Sequence, residues 1–402
     1  MTHRQKTGEF FTFVTLVSLV AYAAIATDLY LPAIPYIIAD LDATVSQGQL
    51  TLSIFMVGLA TGQLIFGPLS DRFGRLPVVR LGTLLFLITS VSCALVWSME
   101  LMWLARGLQG VAAASGPVVA RAIVRDRYDG NRASQVMSVL SAAMAVIPMV
   151  APSIGALILG FSPWPGVFFA LALFALAVLI ALARFPETAA RSIDDRLTFM
   201  RVLLAFRSML VTQAFIGYQI AGSFSFAALF CYLSTVAYFL PDVFNIPTSL
   251  FGYAFALTVF GFMTGSLVNA SLVMRYGMDK TLRAGLITSL VSAVCIALLA
   301  TNAQDHMPYL AFLSSTFFFG VGLTAANASM GAISLFQSQA GAASAVYGFT
   351  HALLASLVGA IAGGLYTGRL LEPALIVLSC SLIAIGGLWL IPRPEESAQR
   401  SQ

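Results

Sequence analysis

The sequence predicts an all-α membrane protein with twelve transmembrane helices, arranged as two bundles of six. Three observations support this prediction: an apolar composition, a series of long apolar runs, and basic residues confined to one side. Hydrophobic residues make up 59% of the chain and charged residues 9%, whereas soluble domains have roughly 45–50% and about 25%. A soluble fold of this length could not bury so much apolar surface. The net charge of +4 forms no basic stripe that would indicate nucleic-acid binding.

Twelve apolar runs are long enough to cross a bilayer, which requires about 20 apolar residues. The first run follows basic residues, as a signal peptide does, but its length and the lack of a small-residue cleavage site predict an uncleaved span. The first, seventh and eleventh runs are long, which predicts tilted helices or helices that extend beyond the lipid. The predicted spans are 10–37, 47–69, 77–97, 101–123, 135–159, 164–185, 208–240, 248–274, 282–300, 307–328, 340–367 and 372–391.

The basic residues predict the topology. Arg106 lies inside a predicted span and Arg369 lies in a loop on one side, and all other Lys and Arg residues fall on the opposite side. Acidic residues such as Asp40, Glu100 and Asp305 share the side of Arg369. By the positive-inside rule both termini are cytoplasmic, and an even number of spans agrees with this.

The longest polar connection divides the chain into equal numbers of spans. We predict an N-terminal six-helix bundle over 1–185, a cytoplasmic linker over 186–207 and a C-terminal six-helix bundle over 208–402. Equal halves indicate an internal duplication with pseudo-symmetric bundles, and they predict a binding site at their interface near the middle of the membrane.

The first run contains an ionisable carboxylate, Asp28, after a stretch without charge from Phe10 to Thr27. A charge inside a membrane span is costly, so such a residue is a candidate functional site. Its expected counterpart is Arg106, the basic residue placed in the hydrocarbon away from a helix end. We interpret the two residues as the proton-coupling pair of a transporter.

The connection after the second span reads Gly67-Pro-Leu-Ser-Asp71-Arg72-Phe-Gly74-Arg75. It resembles the signature loop of the major facilitator superfamily, which has the form G-x-L-x-D-R-x-G-R. The resemblance implies a cytoplasmic gate in which Asp71 and Arg75 pair across the interface of the halves when the pore faces outward, with Asp126 as a partner of Arg75. The second half has Met274 at the position of Asp71, so the gate role is not extended to it.

Two further spans resemble elements of antiporters in this superfamily. The fourth has Arg106, Gln109 and Gly110 in an R-x-x-Q-G pattern, which the family links with proton transfer. The alternative is a structural arginine bonded to backbone carbonyls. The fifth span resembles the motif G-x-x-x-G-P-x-x-G-G, with departures at Ala151 and Ala156; its kinking and close-packing residues are Pro148, Pro152 and Gly155. A proline kink without meaning for the class of transporter is the alternative there.

The stretch from Asp28 to Pro35 has the form D-x-Y-L-P-A-x-P and resembles the bicyclomycin-resistance (Bcr/CflA) type of drug/proton antiporter. The resemblance implies export of small amphipathic drugs, phenicol, bicyclomycin-like or similar, in exchange for protons by alternating access. Alternatives are an exporter of a native metabolite or siderophore on the same scaffold, and proton-coupled uptake of a small nutrient. The implied location is a bacterial inner membrane.

Neutral polar and aromatic residues are candidates for the substrate cavity. These are Tyr30, Gln109, Tyr218, Gln219, Asn327 and His351. For His351, a role in substrate binding or proton transfer competes with a hydrogen-bonded packing role.

The sequence contains no nucleophile-base set, metal-ligand spacing or nucleotide loop, so we expect neither an enzyme nor a cofactor. The four cysteines fall in separate apolar runs and predict no disulfide. Expected partners are a small-molecule substrate, protons and the lipid bilayer, and one chain can form a complete pathway as a monomer. Without a nucleotide site, the energy source must be electrochemical.

The predicted mechanism depends on two opposing effects on Asp28. Burial favours its neutral form, and a nearby guanidinium favours its charged form. We expect Asp28 to take a proton from the outer side and substrate from the cytoplasm or inner leaflet to compete with that proton. A conformational change that moves water or Arg106 would then switch the affinity for the proton.

Overall fold

The computed structural model describes residues 3–128, 150–185, 211–245, 251–336 and 340–392, together with Val136, Leu140, Ile147, Glu187, Ser208 and Met209. Within these residues the secondary structure is helical, without strands. The chain folds into two compact units, one of Met1–Arg196 with Pro247–Tyr253 and one of Leu197–Ile246 with Ala254–Gln402. The predicted linker over 186–207 lies outside the described residues except for Glu187.

The first unit contains nine described helices. These are α1 (His3–Val20), α2 (Tyr22–Asp28), α3 (Ile34–Asp40), α4 (Val45–Phe73), α5 (Arg75–Ala94), α6 (Met99–Ala113), α7 (Ser115–Arg127), α8 (Val150–Phe161) and α9 (Pro165–Ala183). A short 3₁₀ turn, Leu31–Ala33, separates α2 from α3.

The second unit contains α10 (Gln213–Phe244), α11 (Phe251–Tyr276) from Ala254 onward, α12 (Met278–Leu299), α13 (Met307–Ser334), α14 (Ala340–Leu365) and α15 (Leu371–Gly386). A 3₁₀ segment, Ala300–His306, joins α12 to α13, and Asn302 within it has non-helical dihedral angles.

The prediction of an all-helical membrane protein is confirmed. In the described part of the chain, ten segments are long and apolar enough to cross a membrane, and Phe10–Val20 and Val150–Phe161 are shorter apolar helices. One of the ten, Met278–Ser334, has 57 residues and includes the break at Asn302, so it supplies the ninth and tenth predicted spans. Each predicted run therefore has a helical counterpart.

The first predicted span differs from the single helix that its apolar length indicates. The chain is interrupted at Ala21 and again between Asp28 and Leu31. Pro32 has no N–H to donate to the carbonyl of Asp28, four residues earlier, and Pro35 has none for the carbonyl of Leu31. The two prolines thus end α2 at Asp28 and restart the helix as α3.

Local sequence signals explain several helix boundaries. Thr44 and Gln47 form a reciprocal capping box at the start of α4, which satisfies two otherwise unpaired backbone N–H groups. Gly74 has φ +96° between α4 and α5, and Gly277 has φ +83° between α11 and α12. Glycine adopts these positive φ values without the steric penalty of other residues.

Helices α4 and α6 pack backbone against backbone through small residues. A Cβ atom added to Gly58 would overlap the carbonyl oxygen of Gly107, and one added to Gly62 would overlap that of Val111. In the second unit, Gly261 and Gly265 of α11 approach the carbonyl oxygens of Ser315 and Phe319 of α13 in the same way. Small residues at such crossings are typical of membrane helix packing.

Both halves therefore use the same contact between their second and fourth spans. The spacing between corresponding residues is constant, since Gly58, Gly62 and Gly74 correspond to Gly261, Gly265 and Gly277. This supports the predicted internal duplication.

We predict that Gly58→Ala lowers the stability of the protein. The new methyl group must displace the backbone of α6 at Gly107, and such overpacking costs about 1–3 kcal/mol. The measurement is the apparent melting temperature of the purified protein in lipid nanodiscs.

The matched control is Gly160→Ala, because Gly160 is also helical and has no atom within 4 Å of an added Cβ. This variant should melt at or slightly above the wild-type temperature, since alanine favours helix. Equal melting temperatures for the two variants would contradict the close packing of α4 and α6.

Candidate functional site

Asp28 lies at the end of α2, where the helix breaks, and is 4% exposed. Among the described residues, its carboxyl group has no hydrogen bond and no ion pair within 4.0 Å. A buried carboxylate without partners pays the full cost of leaving water, so its neutral form is favoured unless charge or water reaches it. The geometry thus suits a group that takes up and releases a proton.

Arg106 of α6 is fully buried and binds the end of the same broken helix. Its Nη1 donates to the carbonyl oxygen of Ala26 at 3.2 Å and to Oε1 of Gln109 at 2.6 Å. The guanidinium carbon lies 4.3 Å from the ring centroid of Phe55 and 4.5 Å from that of Tyr30. Two aromatic faces and two oxygens therefore stabilise the buried cation.

This arrangement corrects the expected pairing of Arg106 with the carboxylate of Asp28. Among the described residues, the ion pairs within 4.0 Å both belong to Arg75. Arg106 instead contacts the backbone two residues before Asp28, because the end of α2 leaves carbonyl groups without intrahelical partners. Its Nε and Nη2 have no hydrogen-bond partner among the described residues, so donors remain for a ligand or water.

A hydrogen-bond network fixes the position of Arg106. Gln109, which accepts from Arg106, donates through Nε2 to Oγ of Ser90 on α5 at 2.8 Å. The hydroxyl group of Tyr30 bonds that of Thr51 on α4 at 2.7 Å. The network links α2, α4, α5 and α6 within the first unit, so movement of any of these helices would move the guanidinium.

The predicted kink residues of the fifth span divide into two groups. Pro152 and Gly155 are buried in α8, whereas Pro148 lies outside the described residues. A Cβ atom on Gly155 would overlap the carbonyl oxygen of Leu29 and lie 2.9 Å from Cγ of Pro32. The small residue therefore lets α8 pack directly against the helix break that holds Asp28.

The loop motif forms an ionic cluster around Arg75. Its Nε donates to Oδ2 of Asp126 at 2.8 Å, its Nη1 donates to Oγ of Ser70 at 2.9 Å, and Nη1 also contacts Asp71. All of these partners lie in the first unit. The contact of Arg75 with Asp126 is the expected one. Asp71 and Arg75 are four residues apart around the turn at Gly74, and their pairing across the interface when the pore faces outward stays a prediction.

The other residues of the motif have simpler environments. Arg72 is exposed, and its guanidinium lies 5.2 Å from the ring centroid of Phe73. A Cβ atom added to Gly67 would lie 4.0 Å from Cγ1 of Val118. Gly67 of α4 therefore lies beside α7.

Glu187 also belongs to this cluster. The sequence motifs do not indicate it as a site residue. Its carboxylate accepts from the backbone N–H groups of Arg75 at 3.1 Å and Leu76 at 3.0 Å. These are unpaired donors at the start of α5, where negative charge is also favoured by the helix dipole. The available signal was an acidic residue directly after the sixth span, in a linker whose other charges are mostly basic.

The cavity candidates of the second unit do not form one group. Gln219 and His351 lie near Tyr347: Nε2 of Gln219 donates to the carbonyl oxygen of Tyr347 at 3.4 Å, and the His351 ring is 5.4 Å from the Tyr347 ring. His351 also stacks on Phe226 at 4.2 Å. Its Nδ1 has no partner among the described residues.

Tyr218 and Asn327 lie elsewhere. The hydroxyl group of Tyr218 donates to Asp279 at 2.6 Å, at the start of α12. Nδ2 of Asn327 donates to Oδ1 of Asn269 at 2.7 Å. Both side chains thus have structural hydrogen bonds that link helices of the second unit.

Comparisons with known proteins agree with this architecture. Residues 14–360 match the family model of the Major Facilitator Superfamily. The chain is 28% identical to the bicyclomycin resistance protein homolog of Haemophilus influenzae, over 95% of this chain and 96% of that protein. It is 30% identical to the multidrug resistance protein MdtL of Escherichia coli O157:H7, over 89% of this chain and 90% of that protein.

A solved structure has the same fold. The crystal structure of the nucleoside transporter NupG superposes with a TM-score of 0.75 over 95% of this chain and 100% of that chain, at 14% identity.

We predict that Glu187→Gln weakens the start of α5. The amide side chain has no charge and a single acceptor oxygen, so it cannot hold both backbone N–H groups equally well. Hydrogen exchange of the Arg75 and Leu76 amides, measured by mass spectrometry, should become about fivefold faster.

The control is Asp305→Asn, which removes a charge from an exposed residue of the second unit. It should leave exchange at Arg75 and Leu76 unchanged. If Glu187→Gln also leaves it unchanged, Glu187 does not cap α5.

Proposed function

The chain belongs to the Major Facilitator Superfamily, and on this premise we propose that it exports small amphipathic drugs in exchange for protons. The chain is a multi-pass membrane transporter and not an enzyme. Its relatives include proteins named for bicyclomycin and multidrug resistance. We therefore propose phenicol, bicyclomycin-like or similar compounds as substrates. The proposed location is a bacterial inner membrane, with both termini cytoplasmic and the chain acting as a monomer.

The proposal depends on one observation, the buried carboxyl group of Asp28 at the break between α2 and α3. A proton carrier must be stable in both protonation states during a cycle. Burial without a partner favours the protonated form, and access of water or approach of Arg106 would favour the carboxylate. Alternating access supplies such a change, because it exposes a site to one side of the membrane at a time.

Arg106 is proposed as the group that couples substrate to proton. Its buried Nε and Nη2 donors can bind an acceptor oxygen of a substrate, such as a carbonyl or hydroxyl group. A substrate that engages these donors is proposed to compete with the proton at Asp28, because water or Arg106 brought closer to the carboxyl group would favour the carboxylate and release the proton. Tyr30 and Gln109, which contact Arg106 or its network, are then proposed to set the orientation of the guanidinium.

The ionic cluster of Asp71, Arg75 and Asp126 is proposed to act as part of the cytoplasmic gate. It fixes the turn between the second and third spans to the end of the fourth span. The proposal needs these charges to exchange partners during the cycle.

We predict that Asp28→Asn abolishes proton-coupled export and leaves the protein folded. Asparagine has a similar volume but cannot exchange a proton at neutral pH. In proteoliposomes with an imposed pH gradient, uphill movement of a fluorescent substrate such as ethidium should be lost, and substrate-induced proton release from purified protein should disappear.

The control is Asp42→Asn, which removes a charge from an exposed residue of the first unit. It should retain both signals. Uphill export by the Asp28→Asn variant, with a normal melting temperature, would rule out Asp28 as the proton carrier.

We predict that Arg106→Lys lowers the rate of transport by about tenfold. An ammonium group keeps the charge but cannot lie flat against the rings of Phe55 and Tyr30, and desolvated contacts of this kind contribute roughly 1–2 kcal/mol each. The initial rate of substrate export in proteoliposomes is the measurement.

Arg275→Lys is the matched control, because Arg275 also lies against a ring, that of Tyr276 at 5.2 Å, but is exposed. Its rate should stay within a factor of two of wild type. Equal rates for both variants would mean that the planar guanidinium of Arg106 has no role in transport.

A further inference from the structure

A cavity of about 200 Å³ lies inside the second unit, separate from the residues discussed above. Helices α10, α11, α12, α13 and α15 surround it. Most of the lining is apolar, and hydroxyl groups come from Tyr232, Thr235, Thr258 and Ser314. Among the described residues that line it, none carries a charge. An ion would lose its hydration there without compensation, so the lining excludes charged ligands.

Tyr232, the largest polar side chain on the wall of the cavity, is held in place by its neighbours. The ring of Tyr232 makes edge-to-face contacts with Phe239 at 5.4 Å and Phe318 at 5.1 Å, and its hydroxyl group bonds that of Thr258 at 3.0 Å. Oγ of Ser315, next to the lining residue Ser314, donates to the carbonyl oxygen of Leu257 and links α13 to α11 at 3.2 Å. The cavity is therefore preformed, which reduces the cost of binding.

The internal duplication explains why there is space at this place. The glycine contacts align Gly58 with Gly261 and Gly107 with Ser315. In this register Thr258 corresponds to Phe55, and Ser314 corresponds to Arg106. The cavity thus occupies the position at which the first unit holds a buried guanidinium against an aromatic ring.

A further small residue, Ala374 of α15, lines the cavity beside these positions. Small side chains in place of an aromatic ring and a guanidinium leave the second unit with an unfilled volume.

We infer that this cavity binds an uncharged, mainly aromatic small molecule of about one ring that carries one hydrogen-bonding group. An apolar protein cavity of about 150 Å³ holds a benzene molecule, so this volume suits a substituted ring. A hydroxyl group has one donor and two acceptor lone pairs. Tyr232 already bonds Thr258 and Ser314, so the capacity that remains is for accepting, which suits the donor of a phenol, an alcohol or an amide. Neither Asp28 nor Arg106 lines this cavity, so binding there does not depend on the proposed proton coupling.

The test is saturable binding of 4-fluorophenol to the purified full-length protein in lipid nanodiscs, followed by ¹⁹F NMR. At pH 6 the phenol is uncharged. Ala374→Phe should weaken binding by about tenfold or more, because Ala374 lines the cavity and the added ring would occupy its volume. Ser314→Leu, a second filling variant, should act in the same direction if Ala374→Phe does not fold.

Two controls complete the design. Leu375→Phe adds a ring at the next residue of α15, which is 48% exposed, and should leave binding unchanged. Asp28→Asn should also retain binding, which separates this site from the proposed proton carrier. The inference is wrong if binding is indistinguishable from partition into empty nanodiscs, as when lipid chains fill the cavity, or if folded Ala374→Phe and Ser314→Leu bind as the wild type does.

Discussion

The burial of one guanidinium in an apolar bundle is the constraint on which the first unit depends. A fully buried cation is tolerated only where oxygens and aromatic faces replace its water. Arg106 obtains the carbonyl of Ala26, the amide oxygen of Gln109 and two rings. The broken first span favours this contact, because the carbonyl of Ala26 lies in the last turn of α2, where carbonyl groups lack intrahelical partners. The helix break and the buried arginine therefore stabilise each other.

The same break determines where the carboxyl group of Asp28 lies. Pro32 removes the hydrogen bond that would continue α2, and Gly155 allows α8 to approach the exposed backbone at Leu29. A larger residue at either place would change the position of Asp28 relative to Arg106. Pro32, Gly155, Asp28 and Arg106 therefore determine one another's positions, although they come from three different spans.

Much of the fold could be predicted from the sequence, because hydrophobic length and charge distribution are local properties of the chain. The positions of Asp28, Arg106 and the Arg75 loop could be predicted for the same reason. Two partners of Arg106 could not, since Phe55 is an apolar residue in an ordinary helical run and the carbonyl of Ala26 is a backbone group. The carboxylate of Glu187 reaches α5 across more than one hundred residues, and no periodic pattern reports such a contact. No local pattern indicates the cavity either. It exists because Thr258 and Ser314 of the second unit are smaller than the residues at the corresponding positions of the first unit.

The duplication shows how one backbone arrangement supports two different environments. The close glycine contacts between the second and fourth spans are present in both units, so the helix crossings are the same. At the corresponding position, one unit has Arg106 against Phe55 and the other has Ser314 beside Thr258. The identity of two side chains therefore decides whether this crossing holds a charge or an uncharged space. Because backbone packing and side-chain chemistry are separable here, substitutions at this crossing can change its polarity and volume without changing the fold.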